Sequence, residues 1–127
     1  MDSKAINLKD KLAKINEHWS PKVIAELNDY QFKLVKLQGE FVWHKHTDTD
    51  EAFLVLKGQL KISLKEMAVE NETTIEINEG ELYIVPRNIE HKPYAEQECE
   101  VMLIEPRGVV NTGDGDSELR ADNDVWI

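Results

Sequence analysis

The chain of 127 residues has one cysteine, four prolines, six glycines and nine aromatic residues, and no long apolar run. A single thiol, Cys99, excludes an intramolecular disulfide and points to a reducing compartment. The flanking carboxylates of Glu98 and Glu100 raise rather than lower a thiol pKa, so Cys99 reads as an ordinary strand residue, not a nucleophile. No apolar stretch approaches the roughly 18 residues that cross a bilayer as a helix. The opening "MDSKAINLKDKLAKI" lacks the basic-then-apolar pattern of an export signal, and the expected location is cytoplasmic.

Positive charge is also short. Against 25 acids stand 15 bases, a net charge of −10. That field repels nucleic acid and anionic membrane surfaces. The partners left are small molecules and metal cations.

What is present is mostly β texture. One amphipathic helical stripe opens the chain, with Leu8, Leu12, Ile15 and Trp19 spaced four, three and four apart. Ser3 is the expected cap and Ser20-Pro21 the expected stop, since a residue before proline avoids helical angles. His18, at the end of this segment, has no ligand type nearby and reads as structural. Short strands follow at 31–37, 41–46, 51–57, 59–65, 74–78, 81–86 and 100–106, punctuated by Gly39, Gly58, Gly80 and Pro86. Many short strands with regular turns predict an all-β sandwich or barrel. We expect a helix over 1–20 packed on a barrel of 21–110, and a polar tail of 111–127 whose last residues dock back. Asp114, Asp116 and Glu118 in that tail lack the spacing of a calcium loop and read as solvated.

The chemistry concentrates in "GEFVWHKHTDTDEAFLVLKG" (39–58). Residues two apart on a strand share a face, so His44 and His46 project together, with Trp43 and Lys45 opposite. The polar run 47–50 reverses the chain and returns Glu51 beside them, with Phe53 and Val55 on its face. Two imidazoles and a carboxylate suit an open site for a first-row divalent metal. A further imidazole is available at His91, in "GELYIVPRNIEHKPYA" (80–95). Taken singly, each of these residues is as readily structural or exposed.

The two segments together resemble the signature motifs of the cupin superfamily. The first runs from Gly39 through His44, His46 and Glu51 to Gly58; the second runs from Gly80 through Pro86 and Asn88 to His91. The resemblance implies a small jelly-roll β-barrel in which His44, His46, Glu51 and His91 bind one divalent transition metal: iron, manganese, nickel or zinc. Over most of its length the chain also resembles the small single-domain cupins called mannose-6-phosphate isomerase-like. Three departures stand out. Four residues rather than five separate Gly39 from His44. Asn88 replaces a common glycine, and Ala95 replaces a common asparagine. Asparagine tolerates left-handed angles better than most residues.

The resemblance implies a metal-centred isomerase or oxygenase acting on a small polar metabolite, with a non-catalytic binding or structural module as the alternative. Tyr94 and Glu100 are the candidate acid/base residues. By analogy the chain forms a homodimer, with 21–27 as a strand for exchange.

Overall fold

The computed structural model describes residues 3–65, 72–115 and 117–127. Among these, one short helix and seven strands run in the order α1 (Leu8–Leu12), β1 (Lys22–Leu27), β2 (Tyr30–Glu40), β3 (Glu51–Lys57), β4 (Gln59–Lys65), β5 (Glu72–Asn78), β6 (Leu82–Val85) and β7 (Glu90–Pro106). All the pairings between strands are antiparallel. They give the ladder β1-β2-β7-β3-β6, with β4 and β5 joined on through β7. This is the expected all-β barrel. Among the described residues no helix is long and apolar enough to cross a membrane.

β7 organises the molecule. Its first part, Glu90–Tyr94, pairs with β4, while its second part pairs with β2 on one side and β3 on the other. The register of β2 against β7 shifts between Leu37 and Gly39, opposite the exposed residues Glu96, Gln97 and Glu98. Such a bulge bends a strand, and β7 passes here from pairing with β4 to pairing with β3. The sequence reading had this strand begin at residue 100. Pro93, which lacks a ladder donor, and the acidic run after Ala95 disguise its first ten residues. Pro93 nevertheless takes part by accepting a hydrogen bond from Phe41 N at 2.9 Å.

Alternation along the strands divides the apolar residues into two clusters. Val35, Leu37, Phe53, Val55, Leu60, Ile62, Val101 and Leu103 fill the barrel. Leu34, Met102 and Ile24 point outward and are covered by Leu12 and Ile15, with Leu8 packed alongside. Burying a side chain of this size contributes about 1.5–3 kcal/mol. Both faces of the central strands are therefore stabilised.

Three expectations are corrected. The helix is shorter than its stripe: Asn7, not Ser3, caps it by accepting from Asp10 N at 3.0 Å, and it ends at Leu12. Beyond that point β2 takes over the chain, since Lys36 Nζ donates to Ile15 O and Lys36 O accepts from Trp19 N, each at 3.0 Å. Trp19 accordingly leaves the outer stripe and enters the barrel core. The second correction is at 41–46, which forms no strand of the ladder; it touches β7 through an isolated bridge between His44 and His91.

The third correction concerns the tail. Asp114 and Glu118 are exposed, as expected of solvated residues; the departure is that the tail packs well before its last residues, with Thr112 fully buried and Asp114 N donating to Lys45 O at 3.1 Å. Asp116 lies outside the described residues. Val125 and Ile127 bond to Val23 at 2.7 and 3.2 Å, and Trp126 bridges the edge of β1. In the single chain β1, the segment expected to exchange, pairs with its own β2.

Candidate metal centre

The segment after β2 carries two histidines toward the barrel interior. His44 and His46 are buried, while Trp43, just before them, sits outside beneath Lys65 Nζ, 4.2 Å from its ring. Two backbone bonds hold His44 against His91: His44 N donates to His91 O at 3.0 Å and His91 N to His44 O at 2.8 Å. A third, Asn88 N to His46 O at 2.7 Å, fixes the other end of the hairpin. Asn88 has φ 63°, the left-handed turn that the replacement of glycine by asparagine permits. Glu51, first residue of β3, points inward together with Phe53 and Val55.

The result is a closed cluster. One ligand atom from each of His44, His46, Glu51 and His91 lies within 4.8 Å of every other. His46 Nε2 stands 3.4 Å from one oxygen of Glu51, and His91 Nε2 stands 3.6 Å from the other. Neither nitrogen finds a hydrogen-bond partner, though both are buried. Leaving such an atom unsatisfied costs about 1–3 kcal/mol. Nδ1 of His44 donates to Val42 O at 2.8 Å and Nδ1 of His91 to Ile89 O at 3.0 Å. Those bonds commit Nδ1 and turn Nε2 inward, the usual support for a metal-ligating imidazole. The donor set fits a divalent metal of the first transition row.

The electrostatics agree. Burial pushes His44 down to about 4, with the neighbouring His91 adding to the effect, so His44 is neutral at pH 7 and its lone pair is free. Burial alone would raise the Glu51 pKa. Glu105 and the imidazoles of His46 and His91 outweigh it and hold Glu51 well below the usual carboxylate range. Burial and the charge of Glu51 push Glu105 well above that range. Behind it, Lys33 Nζ donates to Glu105 Oε1 at 2.8 Å and to Val109 O at 3.3 Å.

Sequence reasoning passed over Lys33 and Glu105. The signal was present: Gln31 and Lys33 alternate in phase with Val35 and Leu37, and Glu105 is in phase with Val101 and Leu103. Polar residues on an apolar face of a strand mark a buried polar layer.

Tyr94 and Glu100 are not brought to this cluster. His91, Pro93 and Ala95 face inward and Tyr94 is out of phase with them; its ladder partner Lys61 lies on the half-exposed outer surface. Glu100 lies between inward-facing Cys99 and Val101, opposite Lys36 and Lys57. His18 pairs with Glu98 at 2.7 Å on the surface, a structural role.

Residues 33–126 match the cupin domain family. This chain is a cupin. Over 80% of its length the cupin superposes on 94% of a cupin-2 domain-containing protein from Shewanella frigidimarina NCIMB 400, at 54% identity and a TM-score of 0.74. It is 35% identical over 69 residues to the uncharacterized protein YdbB of Bacillus subtilis (strain 168). That match takes in 54% of this chain and 57% of YdbB, little more than half of either. The fold also resembles hydroquinone 1,2-dioxygenase PnpCD in complex with Fe3+, with a TM-score of 0.73 at 20% identity, over 81% of this cupin and 32% of the other chain.

A cavity of about 30 Å³ adjoins the cluster, bordered by His44 and Glu51 at one end and by Trp19, Phe41, Phe53 and Leu37 elsewhere. Trp19 has φ 62°, a left-handed conformation costing a non-glycine residue about 1–2 kcal/mol. Such strain persists only where the surroundings impose it, and here they do. Trp19 N donates to Lys36 O, its Nε1 donates to Gln38 O at 3.0 Å, and its carbonyl accepts from Asn111 at 2.9 Å.

Proposed function

We propose that this cupin holds a divalent transition metal through His44, His46, Glu51 and His91, and that it binds or transforms a small molecule beside it. The observation that carries this reading is the pair of buried, unpartnered Nε2 atoms facing the two oxygens of Glu51. The iron present in a cupin-fold dioxygenase is in line with it. Bound there, such a metal supplies Lewis acidity and open coordination positions.

The chain's own contribution is orientation and exclusion of water. Val42 O and Ile89 O fix two imidazole rings. Glu105, backed by Lys33, lies against Glu51 and restricts where its carboxylate points. The apolar residues around the cavity keep the inner end dry, which strengthens every electrostatic interaction there.

A second reading, a binding module without turnover, is favoured by one feature. Apart from His44 and Glu51, the residues bordering the cavity carry no titratable side chain to act as general acid or base. Substrate turnover or oxygen uptake across a metabolite panel separates the two readings.

The metal reading is tested by elemental analysis of protein purified without chelator. About one transition-metal ion per chain is expected, falling at least about tenfold in His46→Ala. Equal metal content in the variant and the parent sinks the proposal.

A further inference from the structure

A second and larger opening reaches the cluster at His46. It encloses about 410 Å³ and is bordered, around His46, by Thr47, Asp48, Thr49, Arg107 and Asp114. A small molecule fits a space of that size, whereas the 30 Å³ beside Trp19 has room for water alone.

His46 belongs both to the cluster and to the wall of this opening. It is 6% exposed, and its Nε2 has no hydrogen-bond partner. Its Nδ1 lies on the side of Gly113, which borders the opening as well. Unlike the Nδ1 atoms of His44 and His91, it is given no carbonyl among the described residues. A buried polar ring with bonding capacity to spare therefore stands at the inner end.

The rest of the wall offers acceptors and negative charge. Its hydroxyls already donate within the chain, Thr47 Oγ1 to Asp114 and Thr49 Oγ1 to Asp50 O at 2.9 Å. What remains of a donating hydroxyl is oxygen lone pairs. Arg107 is the base on this wall, and its guanidinium is committed. Nε donates to Glu26 at 2.6 Å and Nη2 to Asn28 O at 3.0 Å, and the charges of Asp29 and Asp124 act on it too. Asp48 and Asp114, by contrast, are exposed and form no ion pair among the described residues. An anion entering here meets repulsion, and a cation meets two carboxylates that no base offsets.

We infer that the opening at His46 takes a small, polar, positively charged molecule, an ammonium compound carrying a hydroxyl, and that Asp48 and Asp114 select its charge. This narrows the small polar metabolite expected from the sequence to a cation and sets sugar phosphates aside. The charge class rests on the opening alone. That the hydroxyl end lies toward the cluster rests on the metal reading above.

Choline and its neutral carbon analogue, in which a tert-butyl group replaces the trimethylammonium, have the same shape and differ in charge. Both are titrated into protein purified without chelator, with binding read by ligand-observed NMR and metal content measured on the same sample. Choline is expected to bind at least about fivefold more tightly at low ionic strength, and its advantage to shrink as salt is added. In the double variant Asp48→Asn/Asp114→Asn the preference is expected to fall below about twofold, while the neutral alcohol binds as before. Asp48→Asn alone leaves Asp114 on Thr47 and gives a partial loss in the same direction. Glu118→Gln removes an exposed charge that does not border the opening, and it is expected to leave the preference intact.

No choline binding, or choline bound no more tightly than its carbon analogue, overturns the inference. So does a preference that survives in the double variant, or one that Glu118→Gln abolishes, since the net charge of the chain would then be its source. A choline preference in protein that holds no metal refutes the metal reading and leaves this one standing. Metal retained without any charge preference does the reverse.

Discussion

At the scale of single residues, the burial that depresses the His44 pKa also silences the thiol. Cys99 is fully buried against the barrel core, and burial together with the charge of Glu100 pushes its pKa up to about 11 from 9.0. Its neutral form is thus favoured by folding. A group whose pKa is raised on folding contributes stability below its unfolded pKa and loses it as pH rises through the folded value. The window here is about pH 9 to 11. Two pKa units correspond to roughly 2–3 kcal/mol. The urea midpoint should fall across that window in the parent protein and fall by less in Cys99→Ala; equal losses in both proteins would place the effect elsewhere. The acidic neighbours of Cys99 were readable from the sequence as a raising influence. Its depth in the core, the larger cause, came only with the fold.

At the scale of elements, what was legible followed period-two alternation, and what was hidden followed tertiary pairing. β3 and β4 run over the residues expected of them, because Phe53, Val55, Leu60 and Ile62 alternate cleanly with polar or outward positions. The helix was overestimated because the stripe of Leu8, Leu12, Ile15 and Trp19 is real as burial but not as helix; β2 captures the chain after Ile15. The four residues gathered in the buried cluster were all visible in the two motifs. The loop beneath them was not, since "NTGD" reads as solvent-facing by composition.

That loop is an essential support. Gly113 sits at φ 59°, and a Cβ there would lie 2.2 Å from Lys45 O and 3.3 Å from His46 Nδ1. Backbone cannot yield at such a distance without moving the His44–His46 segment. Gly113→Ala is therefore expected to cost more than the roughly 1 kcal/mol on which point mutations centre and to weaken metal retention as well. Thermal melts and metal content of the purified variant check both effects. An unaltered melting temperature together with full metal content would show that the loop does not hold the hairpin.

At the scale of the whole molecule, a chain of net charge −10 builds a barrel whose interior concentrates its few histidines around one carboxylate. Three of the four histidines converge there from two hairpin segments, and the strand pairing of β7 is what closes the distance between residue 46 and residue 91. Lys33 and Glu105 extend the polar layer one step outward from Glu51, while Trp19 and Phe41 wall its other side. The central claim is that this convergence holds a metal. X-ray absorption spectroscopy at the edge of whichever transition metal copurifies tests it most directly. The account predicts a shell of imidazole nitrogen and carboxylate oxygen at about 2.0–2.2 Å with the outer scattering of several histidine rings. A spectrum of hydrated metal without histidine scattering would contradict it.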